Sequence, residues 1–127
     1  MTHKVLVVER SAVVRRALGQ LIAGAPDLVL IAAVPDGHCA LLRAQAADAD
    51  VLVLDSELGE VETRALLHAY SPAQVPGLVL LAAGSGPVSR TLRAYPHEVV
   101  VKPPRGVAEH LRASGARLLD LIRRAAA

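Results

Sequence analysis

Five short runs of consecutive apolar residues, each followed by a segment with helical spacing, constrain the fold of this 127-residue chain more than any other feature. The predicted strands are residues 4–8, 28–34, 50–54, 78–82 and 97–101. The predicted helices are residues 11–24, 37–47, 61–70, 87–94 and 106–124. Strands that are apolar at consecutive positions are typical of a parallel sheet covered by helices on both faces. The pattern therefore predicts a doubly wound α/β domain.

Right-handed crossovers leave few topologies for such a sheet, and the flavodoxin-like (βα)5 strand order 2-1-3-4-5 is the prediction. We expect a single domain over residues 1–124, with 125–127 as a C-terminal tail or the start of a linker. Gly115 lies inside the last helical pattern, and we expect it either to kink that helix or to divide it.

Composition narrows the classes of protein. A hydrophobic content of 53% and a mean hydropathy of +0.40 argue against disorder. No apolar run reaches the roughly 18 residues needed to span a membrane, and the first residues read as a strand rather than a signal peptide. We therefore expect a cytoplasmic protein that does not bind membranes. A net charge of only +2 and an aromatic content of 2% argue against direct nucleic-acid binding.

Charged residues follow three of the predicted strands. Glu9 and Arg10 come after the first strand, Asp55 closes the third, and Lys102 closes the fifth, followed by Pro103. In the predicted order these strand ends share one edge of the sheet, which is where ligands bind in open α/β folds. The sequence therefore predicts that a carboxylate and an ammonium meet in one cleft.

With these residues placed, the chain resembles the receiver domain of bacterial two-component response regulators. The resemblance rests on three segments in order: Lys4–Val8 with the charged pair and Ser11–Leu18, Val51–Asp55, and Val99–Pro103. Within that family the chain is most similar to the regulatory domain of the chemotaxis methylesterase. No Gly-x-Ser-x-Gly element of the catalytic domain is present. We therefore expect no enzyme activity beyond self-phosphorylation.

The resemblance implies roles for individual residues. Asp55 matches the phosphoacceptor and Lys102 matches the lysine that contacts the phosphoryl oxygens. Mg²⁺ is the implied cofactor, with Glu9, Asp55 and Glu57 as its candidate ligands. The implied partners are a histidine kinase or other signalling protein as donor, and an effector domain or target protein as output. A phosphorelay role in chemotaxis or a related pathway follows from the same likeness.

Three positions depart from the family pattern. Arg10 occupies the position of a direct metal ligand, but a guanidinium has no acceptor and stays charged, so we expect Mg²⁺ binding to be impaired. Arg10 either pairs with Asp55 in place of the ion or extends into solvent. At the two switch positions, Ala82 has no hydroxyl group and Val99 has no aromatic ring.

Three functional hypotheses remain open at this point. The first is a receiver module phosphorylated on Asp55, and the second is a pseudo-receiver that binds proteins without phosphorylation. The third is a small enzyme or nucleotide-binding protein that uses Gly84-Ser85-Gly86 as a phosphate loop, disfavoured because the motif lacks an acidic partner. The candidate apolar contacts on the usual partner-binding face of the family are Leu92, Tyr95, Val107 and Leu111, although ordinary core packing explains at least half of them.

Overall fold

A computed structural model of the chain describes residues 2–83 and 89–127. The five strands are β1 (His3–Val8), β2 (Leu28–Val34), β3 (Val51–Asp55), β4 (Gly77–Ala83) and β5 (His97–Lys102). The α-helices in these ranges are α1 (Ala12–Ala23), α2 (Gly37–Ala46), α3 (Glu60–His68), α4 (Arg90–Arg93), α5 (Val107–Ala113) and α6 (Gly115–Ala126). All strand pairs are parallel, in the order β2-β1-β3-β4-β5. The predicted fold class and strand order are confirmed.

The continuous apolar runs are explained by two separate hydrophobic cores, one on each face of the sheet. Val5 and Val7 of β1 point into a core shared with α1, α5 and α6, whereas Leu6 and Val8 point into a core shared with α2, α3 and α4. All four side chains are fully buried. Because neighbouring strand residues face opposite sides, a strand buried on both faces must be apolar at every position.

The C-terminal helical region differs from the single predicted helix. It is divided at Ser114 into α5 and α6, which agrees with the expected effect of Gly115. Helix α6 also continues to Ala126, beyond the predicted end at residue 124. The reason is a close approach of backbones, since a Cβ atom at Gly77 of β4 would lie 1.9 Å from the carbonyl oxygen of Ala125. The absent side chain of Gly77 lets the end of α6 pack on the sheet.

Core packing accounts for two of the four apolar residues proposed for the partner-binding face. Leu92 and Leu111 are core residues, with exposed fractions of 2% and 1%, so they do not form a contact surface. Tyr95 and Val107 are half-buried beside the two cores. The motif Gly84-Ser85-Gly86 lies outside the described residues.

Within residues 2–83 and 89–127, no helix is long and apolar enough to cross a membrane.

Candidate functional site

The carboxyl edge of the sheet brings together three of the charged residues singled out from the sequence. Glu9 follows β1, Asp55 ends β3 and Lys102 ends β5. Both acids are buried, with exposed fractions of 0% for Glu9 and 2% for Asp55. Buried carboxylates need charged or hydrogen-bonding partners to offset the loss of hydration, so the partners of these two side chains define the site.

Lys102 lies between the two carboxylates. Its Nζ donates to Glu9 Oε1 at 2.7 Å and to Asp55 Oδ1 at 3.2 Å. The lysine side chain is only 10% exposed, so these ion pairs are poorly screened by solvent. The three groups form a compact cluster with two negative charges and one positive charge.

Backbone amides supply the remaining donors. Asp55 Oδ2 accepts from the amide of Arg10 at 3.1 Å, and Asp55 Oδ1 also accepts from the amide of Glu57 at 2.9 Å. Glu9 Oε2 accepts from the amide of Ser11 at 2.6 Å. Each of the four oxygens of the two carboxylates therefore has at least one hydrogen-bond donor within the protein.

Arg15 fixes the loop that carries these amides, and sequence reasoning missed this role. Its Nη1 donates to the carbonyl oxygens of Glu9 at 2.8 Å and Arg10 at 3.0 Å. Arg15 is in the first turn of α1, which begins after the N-cap Ser11. The sequence signal was available in principle, because an arginine in a first helical turn can reach back over the loop preceding it.

The electrostatics keep both partners of the Asp55–Lys102 pair charged. Burial raises the pKa of Asp55, but the amides of Glu57 and Arg10 and the Lys102 ammonium outweigh burial, and the net pKa is lowered. Burial lowers the pKa of Lys102, but hydrogen bonding and attraction to Glu9 and Asp55 outweigh it, and the net pKa is raised. Asp55 is therefore an ionised carboxylate at neutral pH.

Comparison with known proteins places this arrangement in context. The chain is 33% identical over 97% of its length to a protein-glutamate methylesterase/protein-glutamine glutaminase of Anaeromyxobacter dehalogenans, and spans 35% of that protein. It is 30% identical over its full length to a relative of the same name from Chromobacterium violaceum, and spans 37% of it. The chain thus spans about a third of the length of these curated relatives. No protein-family model matches it.

Solved structures show the same architecture. The response regulator domain of Thermotoga maritima CheB superimposes with a TM-score of 0.81 at 22% identity, covering 99% of this chain and 97% of that one. The chain therefore has the fold of a response-regulator receiver domain. A complex of the P1 domain of CheA3 with CheY6 from R. sphaeroides also matches, with a TM-score of 0.68 at 21% identity over 93% of this chain and 97% of that one.

The receiver domains of this class generally bind Mg²⁺, but the residues present here do not fit the ion. Arg10 is exposed and offers a guanidinium without lone pairs where the family places a ligand. Glu9 and Asp55 already use all four carboxylate oxygens as hydrogen-bond acceptors. Among the described residues, no three or more His, Cys, Asp or Glu side chains are grouped to hold a metal. Glu57 contributes its amide, while its side chain is exposed.

One of the two alternatives for Arg10 can now be set aside. The guanidinium of Arg10 forms no ion pair with Asp55, and the prediction that it would take the place of the metal ion is wrong for this structure. The ammonium of Lys102 contacts Asp55 in the cleft, whereas the side chain of Arg10 is exposed and only its backbone amide contacts Asp55. The cation between the buried carboxylates of Glu9 and Asp55 is therefore the ammonium of Lys102, which both carboxylates contact.

The two predicted switch positions lie on the neighbouring strands β4 and β5, with Ala82 one residue beyond the partner of Asp55 and Val99 three residues before Lys102. Ala82 of β4 is 8% exposed and has no donor or acceptor in its side chain. Val99 of β5 is 44% exposed, and its branched side chain has few rotamers. Neither side chain can form a hydrogen bond to a group bound at Asp55.

Proposed function

We propose that this receiver domain acts as a protein-interaction module whose binding surfaces do not depend on phosphorylation of Asp55. The single observation that carries the proposal is the position of Arg10, which gives Asp55 only its backbone amide while its guanidinium group is exposed and offers no oxygen to a metal ion. Lys102 matches the lysine of the family and is compatible with either function, so Arg10 favours one over the other.

The chemistry of phosphoryl transfer supports this proposal. Transfer depends on positioning and on cations that stabilise the charge of the phosphoryl group, usually with Mg²⁺ bridging its oxygens. Here, Lys102 is the one side-chain cation hydrogen-bonded to Asp55 among the described residues, and the Arg10 side chain adds no metal ligand. Ala82 and Val99 would then give no polar or aromatic response to the new group.

A second candidate function is favoured by one observation. The surroundings of Asp55 lower its pKa, so it stays ionised despite burial, and Lys102 lies within hydrogen-bond distance, which supports Asp55 as a nucleophile and Lys102 as a cation for the phosphoryl oxygens. On this alternative, Asp55 accepts a phosphoryl group from a histidine kinase at low efficiency. In both cases the output is a target protein or an effector domain, such as the remaining two-thirds of a methylesterase.

The deciding experiment is intact-mass measurement after incubation with acetyl phosphate and millimolar Mg²⁺. We expect no adduct under conditions that phosphorylate an ordinary receiver domain used as a positive control. The variant Asp55→Asn controls for modification at other sites, and circular dichroism confirms that both proteins are folded. A near-stoichiometric phosphoryl adduct that disappears in Asp55→Asn would replace the first proposal with the second.

A further inference from the structure

We infer that the cleft between α3 and α4 binds an acidic polypeptide segment of a partner protein through Arg64, Arg90 and Arg93. This inference rests on the proposed function as an interaction module and names the chemistry of the partner. The cleft has a volume of about 360 Å³ and is lined by Ser56, Leu58, Glu60, Ser89 and these three arginines. Ser56 directly follows Asp55, so the cleft adjoins the carboxylate cluster.

The arginines have no acidic partner of their own. All three side chains are exposed, and none forms an ion pair within residues 2–83 and 89–127. The sequence between these ranges, residues 84–88, contains no Asp or Glu that could pair with them. By contrast, Arg123 forms a two-point ion pair with Asp27, at 2.7 and 3.0 Å. The guanidinium groups at the cleft are therefore available to an external anion.

The one acidic residue that lines the cleft, Glu60, forms hydrogen bonds that join α3 to α4. Glu60 begins α3, and its carboxylate accepts from the Ser89 hydroxyl at 2.6 Å and from the amides of Arg90 at 3.2 Å and Thr91 at 2.9 Å. The Thr91 hydroxyl donates to it as well. These donors lower the pKa of Glu60 to about 2, so it remains ionised and bound to α4.

This clamp fixes the backbone around the cleft. Because Glu60 joins the first turn of α3 to the first turn of α4, it holds the backbones that carry Arg64, one turn further along α3, and Arg90 and Arg93. Three arginines and one glutamate leave an excess of two positive charges on this surface. With the backbone already in place, only the arginine side chains have to be ordered when a partner binds.

Carboxylate-rich peptide fits the cleft better than nucleic acid does. Guanidinium groups bind carboxylates through two parallel hydrogen bonds, and three of them on adjacent helices match acidic residues spaced along a peptide. Nucleic-acid surfaces of this size usually add aromatic side chains on which bases stack. The two tyrosines of the chain, Tyr70 and Tyr95, do not line this cleft.

The test is fluorescence anisotropy with a fluorescein-labelled hexaglutamate peptide at low salt, with hexaglutamine as the neutral probe. The site variant is Arg64→Gln with Arg90→Gln and Arg93→Gln. The matched control removes three exposed arginines from the opposite side of the sheet, as Arg16→Gln, Arg112→Gln and Arg117→Gln. Both variants lose the same charge, so general attraction affects them equally.

We expect the site variant to bind hexaglutamate at least tenfold more weakly and the control variant to change less than threefold. Amide shifts of the wild-type protein on titration should concentrate in α3 and α4, a result that does not depend on the folding of any variant. Equal losses in both variants, or no binding of hexaglutamate by the wild type, would overturn the inference. So would an oligothymidylate that binds as tightly and is lost in the same site variant. These outcomes leave the phosphorylation test of Asp55 unaffected.

Discussion

Replacement of Lys102 by methionine should destabilise the domain strongly at neutral pH. The change leaves Glu9 and Asp55 as buried carboxylates without the ammonium that now lies within 3.2 Å of both. Removing one partner of a buried ion pair costs roughly 3–5 kcal/mol. Lys102 is 10% exposed and both acids keep amide donors, so we expect the lower end, about 3 kcal/mol. For a domain of this size that lowers Tm by roughly 12 °C.

The pH dependence gives the prediction a second, independent readout. The pKa of Asp55 is lowered, so its contribution is present above its ordinary pKa and is lost as pH falls through the folded value. The pKa of Lys102 is raised, so its contribution is present below its ordinary pKa and is lost as pH rises through the folded value. In Lys102→Met, burial should raise the pKa of Asp55, and acid should stabilise the variant relative to the wild type.

Urea unfolding at pH 7 and pH 4 measures both effects. We expect the difference in unfolding free energy between wild type and Lys102→Met to be smaller at pH 4 than at pH 7. The double variant Glu9→Gln with Lys102→Met should recover at least half of the loss, since it removes one of the two unpaired charges. A Lys102→Met protein within about 1 kcal/mol of the wild type at both pH values would show that solvent reaches the carboxylates, which would refute the reasoning.

Three other predictions test separate parts of the structure. Gly77→Ala should lower the unfolding free energy by about 1–3 kcal/mol, because the new Cβ atom would lie 1.9 Å from the backbone of α6. Gly19→Ala should instead stabilise α1 by about 0.5–1 kcal/mol. Thermal unfolding should therefore show a lower Tm for the first variant and a higher Tm for the second. Glu60→Gln should lower stability at pH 7, with a smaller deficit once pH falls from 4.5 towards 2, because the wild-type carboxylate loses its contribution over that interval; urea unfolding at pH 7 and pH 3 measures this. Arg10→Asp should bring measurable Mg²⁺ binding in an NMR titration, and Arg16→Asp, with the same change of charge, should bring none.

The fold was predictable because its signal is repeated along the chain. Each of the five strands is apolar at consecutive positions, and each strand prediction falls within two residues of the observed bounds. Two cores, one on each face of the sheet, produce this pattern in β1, β3 and β4, whereas Val99 and Val101 of β5 are exposed. The position of the candidate site was predictable for the same reason, since the topology alone brings the residues that follow β1, β3 and β5 to one edge.

The arrangement within the site was not predictable from strand patterns. Lys102 is 93 residues from Glu9 and 47 from Asp55, and its choice of partners depends on how far each side chain reaches once the loops are in place. The sequence also left open whether the guanidinium of Arg10 pairs with Asp55 or is exposed, as it is here. The contacts of Glu60 with residues 89–91 were missed because they join two helices about 30 residues apart.

The three departures from the family pattern are linked through a single electrostatic requirement. Glu9 and Asp55 carry two negative charges in a buried site, and something positive must lie between them. Lys102, which matches the lysine of the family, supplies one positive charge from within the chain. Arg10 adds no oxygen ligand for a metal ion, and Ala82 and Val99 offer no hydroxyl group or aromatic ring that could respond to a phosphoryl group on Asp55. On the proposed function, a cluster that Lys102 and backbone amides hold together needs no ligand to keep its shape, so partner recognition depends on fixed surfaces such as the α3–α4 cleft held by Glu60.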